Sequence, residues 1–277
     1  MGLFSRLLQS SIRYIEKDLD RKSPHAMEEV YAKKVALYTR RYGTVDQRTL
    51  AIRMYYAAAM INSGNASGAE AEAAELIPEL HSLDSSGSAL WLRAARKCHA
   101  RALSELGRND EAAAEWDILA SDNDRVLGPA NEESIEAHEC HAVALWRLGR
   151  GSEAEPELAA AVAMRTATSG ADTDATLKAR KNHAEVLSDL GRYQESEAAW
   201  KELADAYNRL KGASDPATLD ARDMHAQALY ELGRMLDAAV EFAQVAEVRE
   251  SVLGASHPDT RRVRRWQEAA ERKSHDR

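Results

Sequence analysis

The phrase HAVALWRLGR at residues 141–150 returns as HAEVLSDLGR at 183–192 and as HAQALYELGR at 225–234. A fourth LGR triplet at 106–108 completes a glycine column, Gly107, Gly149, Gly191 and Gly233, with a constant spacing of 42. The same spacing separates Gly128, Gly170, Gly212 and Gly254, and also His99, His141, His183 and His225. Nine residues after each first glycine stands a large apolar side chain, Trp116, Leu158, Trp200 or Phe242. Four residues before that stands a small one, Ala112, Ala154, Ser196 or Ala238. Five columns in one register make an internal repeat, and a period of this length signals stacked copies of one supersecondary unit.

The register extends in both directions. TLAIRMYYAAAMINSG, ending at Gly64, aligns with TLDARDMHAQALYELG, ending at Gly233, and places Ala69 in the small column. Met27 and Tyr31 fall in the small and large columns of an earlier segment, 24–42, and TRRVRRWQEAA from Thr260 opens a further unit that stops after one helix. Each unit reads as two helices. Leu177, Ala179, Ala184, Val186 and Leu187 form a helical stripe that Gly191 ends. Ala198, Trp200, Leu203, Ala204 and Tyr207 form a second, ending before Gly212, and Asp215-Pro216 and His257-Pro258 mark the turns into the next helices. Small residues at fixed places let paired helices approach, and the large residue fills the next groove. One such hairpin cannot bury its apolar face alone, whereas stacked copies share a continuous core.

Units with Leu-Gly closing the first helix, a small residue five after that glycine and an aromatic four beyond it resemble tetratricopeptide repeats. The 42-residue spacing, longer than the usual ~34, and the LG-x-x-x-P-x-T linker resemble the kinesin-light-chain type common in bacterial arrays. The likeness covers residues 24–270, with two departures. Histidine stands eight before the LGR glycine, where the family usually has leucine, and Ser85-Ser86-Gly87 replaces one linker glycine. The resemblance implies an all-α, right-handed superhelical solenoid of antiparallel helix hairpins. Residues 1–43 would form an amphipathic helix and a first capping hairpin. Five hairpins would fill 44–259, at about 44–86, 87–128, 129–170, 171–212 and 213–254 with a linker after them, and 260–277 would form a capping helix and basic tail. It also implies a non-enzymatic interaction module holding a peptide or partner helix in the concave groove.

In such arrays the first helices line the groove, with residues about ten, six, three and two before the glycine. Carried onto this chain, the candidate partner-binding residues are Lys97 and Arg101; Glu139, Val143, Trp146 and Arg147; Lys181, Asn182 and Glu185; and Asp223, Gln227 and Tyr230. Trp146 and Tyr230 are the expected anchors, because large aromatics on an exposed wall carry much of a binding energy. The competing reading packs them against a neighbouring helix. The histidine column reads as structural and hydrogen-bonded, with a pH-responsive core as its alternative. Successive hairpins lie on the order of 10 Å apart, too far for one zinc with ligands at about 2 Å to bridge two rungs. Cys98 and Cys140 share a column and read as free thiols, since a disulfide needs Cα atoms within ~7 Å. Arg108, Arg150, Arg192 and Arg234 are expected to cap helix C-terminal carbonyls or to face solvent.

A net charge of −8 disfavours general nucleic-acid binding, and the positive excess is confined to the two ends, +4 over 1–41 and +3 over 254–277. No apolar run approaches the ~20 residues of a membrane span. The start, MGLFSRLLQS, is too briefly apolar for a cleaved signal, so the expected location is cytoplasmic. Leu3, Phe4, Leu7, Leu8, Ile12, Ile15 and Leu19 oppose Arg6, Arg13 and Lys17. This amphipathic stretch is expected to cap the array; the alternative is a membrane-surface or assembly factor acting through residues 1–20. Arg261, Arg262, Arg264 and Arg265 surround Trp266, which reads as a capping helix with Val263 and Trp266 inward and the arginines solvated. Phosphate-loop, HExxH, GxSxG and CxxC patterns do not occur. No catalytic residue, metal ligand or cofactor is therefore expected, and a ligand- or partner-responsive regulatory protein is the remaining reading.

Overall fold

The structure is a computed structural model and describes residues 23–83 and 88–275. The predicted amphipathic start, residues 1–20, lies outside the described residues. Twelve α-helices and no strands occur among the described residues. They fall into two compact units, divided along the chain between Gly128 and Pro129. In the first unit, α1 (Pro24–Tyr42) packs on α2 (Gln47–Ser63), followed by α3 (Ala66–His81), α4 (Ser88–Glu105) and α5 (Asn109–Leu127). The second contains α6 (Glu132–Arg147), α7 (Gly151–Ser169), α8 (Asp174–Asp189), α9 (Tyr193–Lys211), α10 (Pro216–Glu231), α11 (Met235–Leu253) and α12 (Pro258–His275). Within each unit consecutive helices pack side by side, and α6 also touches α8, as α2 touches α4.

The LGR phrase works as a helix stop. At each of these turns the arginine backbone N–H reaches back to the carbonyl of the leucine five residues earlier, for example Arg192 to Leu187 at 3.0 Å and Arg234 to Leu229 at 3.0 Å. This closure needs a left-handed residue between them, and Gly191, with φ 70°, supplies it. The arginine side chains do something the sequence reading did not anticipate. They pair with the acid three residues on: Arg108 with Glu111, Arg150 with Glu153, Arg192 with Glu195 and Arg234 with Asp237. Three of them also reach the second helix of the preceding hairpin, at Glu70, Glu155 and Glu197. The carbonyls are already satisfied by backbone, so the guanidinium takes the carboxylates.

The second glycine column turns the chain from one hairpin to the next. Gly212, at φ 94° and ψ 165°, sits in a region that only glycine occupies without strain. Six residues on, the fully buried Thr218 donates its hydroxyl to the Gly212 carbonyl at 2.9 Å, and Thr176 does the same to Gly170 at 2.8 Å. Asp215 then accepts the Ala217 N–H at 2.9 Å and starts α10.

The core follows the columns. Ala69, Ala112, Ala154, Ser196 and Ala238 are sealed from solvent, and Trp116, Leu158, Trp200 and Phe242 are buried beside them. Each large side chain of this kind stabilises by roughly 1.5–3 kcal/mol when fully buried. Met27 and Tyr31 are likewise buried, packed against Ala59. At the other end Val263 is buried and Trp266 stacks on Phe242, with ring centroids 6.1 Å apart. The arginines around Trp266 keep contact with solvent, and two of them also reach carboxylates. Arg262 pairs with Asp223 at 2.8 Å and Arg264 pairs with Glu250, because the last hairpin presents carboxylates to α12.

Candidate functional site

In the second unit the first helices of successive hairpins join through the predicted row itself. The indole N–H of Trp146 on α6 donates to Asp189 on α8 at 2.7 Å. The Asn182 amide of α8 lies 3.5 Å from the Glu139 carboxylate of α6. Tyr230 on α10 meets Trp266 on α12 edge to face at 5.3 Å, and the Lys273 ammonium lies 4.3 Å from the Tyr230 ring centre. The aromatic pair thus packs against neighbouring helices with both side chains half-buried.

Two acids of the row, Glu139 and Asp223, are inward. Glu139 is 5 % exposed and takes a hydrogen bond from the buried Arg165 at 2.8 Å. Burial pushes the Glu139 carboxyl above its ordinary range, although Arg165 pulls it down. Asp223 is 1 % exposed and is held by Arg249 at 3.2 Å and Arg262 at 2.8 Å. Gln227 donates to Asp223 at 3.1 Å. Arg147 and Lys181 are exposed, Lys181 lying 3.5 Å from half-buried Glu185, and Val143 packs on the α6–α8 core. In the first unit Arg101 is exposed and Lys97 half-buried. Glu139 and Asp223 therefore brace hairpins, while Arg147, Lys181 and Arg101 present charge outward.

The arginines that hold these acids escaped the sequence reading, yet a signal for them exists. Glu139 and Arg165 are 26 residues apart, as are Asp223 and Arg249, and the two pairs lie 84 residues apart. Where the acid position holds Lys97 or Lys181, the arginine position holds Asn123 or Tyr207. The aromatics alternate in the same way. Trp116 and Trp200 bond Ser104 and Ser188 at 3.2 and 3.3 Å, whereas hairpins with Trp146 or Tyr230 at the serine position carry Leu158 or Phe242 instead. The chemical period is two hairpins.

The histidine column is clasped by carboxylates. His141 Nδ1 lies 2.9 Å from Glu157, His183 Nε2 is 3.0 Å from Glu155, and His225 Nε2 is 3.0 Å from Glu197. His99 sits 3.7 Å from Glu70 and 3.5 Å from Glu115. Among the described residues no group of three or more His, Cys, Asp or Glu side chains is placed to hold a metal ion. Cys98 and Cys140 are free thiols, and burial pushes Cys98 up to about 11. A polar cavity of about 280 Å³ lies between α9, α10 and α11, lined by Lys201, Asp205, Asn208, Arg222, His225 and Glu241 among others. No described helix is long and apolar enough to cross a membrane.

Residues 218–259 match the family model for a tetratricopeptide repeat. No curated protein matches the chain. Among solved structures, BtubC (BKLC) from P. vanneervenii is similar at TM-score 0.68 and 14 % identity, over 86 % of this chain and 94 % of that one. Nearly identical TPR-like repeats from Podosopora anserina, named for a kinesin light chain, align at TM-score 0.64 and 17 % identity, over 73 % of this chain and 95 % of theirs. A Rap protein complexed with Competence and Sporulation Factor aligns at TM-score 0.51 and 10 % identity, over 96 % of this chain and 81 % of that one. Residues 218–259 thus match a tetratricopeptide repeat, and the chain shares the helix-hairpin fold of the kinesin-light-chain-like structures it aligns with.

Proposed function

We propose that the chain is a non-catalytic interaction scaffold that holds a peptide or partner helix against the face formed by its first helices. The observation that carries this reading is that side chains on that face tie neighbouring first helices together in the second unit. Trp146, Asn182 and Arg262 tie α6 to α8 and α10 to α12 along the row, while Arg147 and Lys181 remain exposed on it. A braced surface loses little conformational entropy when a ligand docks. Arg147, Lys181, Glu185 and Gln227 would make the polar contacts, with Trp146 and Tyr230 offering their uncovered edges; Lys97 and Arg101 would serve in the first unit. Glu139, Asn182, Asp223 and Val143 would set the wall's shape from beneath. A fold of this kind accommodates a bound factor in the Rap complex.

The test is capture of partners from the native host by full-length protein, with Arg147→Glu/Lys181→Glu beside a Lys201→Glu control. Lys201 is exposed on the second helix α9. A partner retained by the control and lost with the double variant supports the assignment. Equal retention by both variants sinks it.

A further inference from the structure

His225 differs from an ordinary buried histidine in having a carboxylate on each side of its ring. Nε2 lies 3.0 Å from Glu197 on α9, and Nδ1 lies 3.9 Å from Glu241 on α11. The side chain is 14 % exposed and borders the polar cavity between α9, α10 and α11. A neutral imidazole has one N–H, and its other nitrogen presents a lone pair. One N–H suffices for the Glu197 bond, and Glu241, at 3.9 Å, acts on the ring through its charge, so the imidazolium is attracted by both acids and the neutral ring is held by Glu197 alone. The equivalent place at His183 is different: Ala199 stands where His225 has Glu241, and the bond to Glu155 at 3.0 Å needs one N–H only. We propose that His225 is a protonation-dependent clasp, its charged ring locking α9 to the α10–α11 hairpin and its neutral ring loosening that junction.

The other charges around the ring set how strong the effect is. Arg222, one turn earlier on α10, holds Glu241 at 2.7 Å and Gln244 at 2.6 Å. Arg234, in the turn between α10 and α11, lies 3.6 Å from Glu197 and bonds Asp237 at 2.8 Å. Lys201 and Asp205 of α9 line the adjoining cavity. Both clasping acids therefore keep an arginine when the ring is neutral, and the junction loosens without unfolding. Burial disfavours the charged ring, but Glu241 and Glu197 outweigh it and hold His225 above its ordinary 6.5. The stabilisation is thus complete below pH 6.5 and is lost as pH rises through the folded-state value. His99 in the first unit has the same two-sided placement, between Glu70 and Glu115.

Thermal unfolding of the full chain between pH 5.5 and 8.5, wild type against His225→Leu, tests the clasp. Leucine is the family's usual residue there, and other titrating groups cancel in the difference. The wild type should lose Tm relative to His225→Leu by about 2 °C or more as pH rises. A difference that stays constant with pH overturns the proposal. Should the variant fail to fold, imidazole NMR titration of wild type and Glu197→Gln decides. His225 should titrate above 6.5 in the wild type and lower in Glu197→Gln; titration at or below 6.5 in the wild type overturns the clasp.

Discussion

At the residue scale, the placement of charge departs furthest from expectation. Glu139 stands at a position that lines grooves in the family, yet it lies under the surface with Arg165. Arg165→Met would strand that carboxylate, leaving it the Asn182 amide at 3.5 Å and the more distant charge of Lys178 in place of the guanidinium. Removing one partner of a buried pair costs about 3–5 kcal/mol, whereas replacing both by apolar groups is often near neutral. Denaturant melts should therefore show a large loss for Arg165→Met and recovery in Arg165→Met/Glu139→Leu. Glu241 offers a test of opposite pH sense to His225. Burial opposes its charge, but His225 and Arg222 hold the carboxyl at about 2, below the ordinary 4.5. Its stabilisation is present above pH 4.5 and lost as pH falls toward 2. Glu241→Gln should flatten the fall in Tm over that acid range; an unchanged acid limb would refute the assignment. None of these pairings was legible from a single repeat, because each joins side chains that only hairpin packing brings together.

At the element scale, the two glycine columns do different work and should respond differently to alanine. Neither Gly191 nor Gly212 has a neighbour close enough to clash seriously with an added Cβ, so the cost is one of backbone. Gly191 sits at φ 70°, in the left-handed helical well, where a non-glycine residue costs roughly 1–2 kcal/mol. Gly212, at φ 94° and ψ 165°, lies where residues other than glycine scarcely go, and should cost up to ~3 kcal/mol. Equal losses of Tm in Gly191→Ala and Gly212→Ala would contradict this ordering. Both glycines were legible as turn markers from spacing alone. Which turn each would make was not, since the difference lies in the hydrogen bonds to backbone carbonyls around each glycine, Arg192 to Leu187 at one and the Thr218 hydroxyl closing onto the Gly212 carbonyl at the other.

At the scale of the whole molecule, the ends decide whether stacking is sustainable. A hairpin array needs a last element with a polar outer face. α12 has such a face, turning Val263, Trp266 and Ala270 inward while Arg261, Arg265 and Arg272 face solvent, and we propose that it acts as a cap. Removing residues 258–277 would uncover the side of Phe242 on which Trp266 stacks and would release Asp223 from Arg262. The truncated chain should bind a hydrophobic dye and melt at lower temperature than full-length protein. A truncated protein with unchanged melting would show that α12 is not a cap.

The sequence by itself determined the repeat, its helices and its core columns. These follow from local rules, because glycine position, turn chemistry and apolar spacing act within a few residues of one another and are copied every 42 positions. It also placed Val263 and Trp266 inward, because a helix that repeats the pattern must bury the same stripe. Only the tertiary structure decided which polar residues of the row face outward. Arg147 and Lys181 emerge, while Glu139 and Asp223 sink beneath Arg165 and Arg249. The reason is physical: a charged side chain is buried only where a partner from another helix meets it, and that meeting depends on packing across 26 residues of chain.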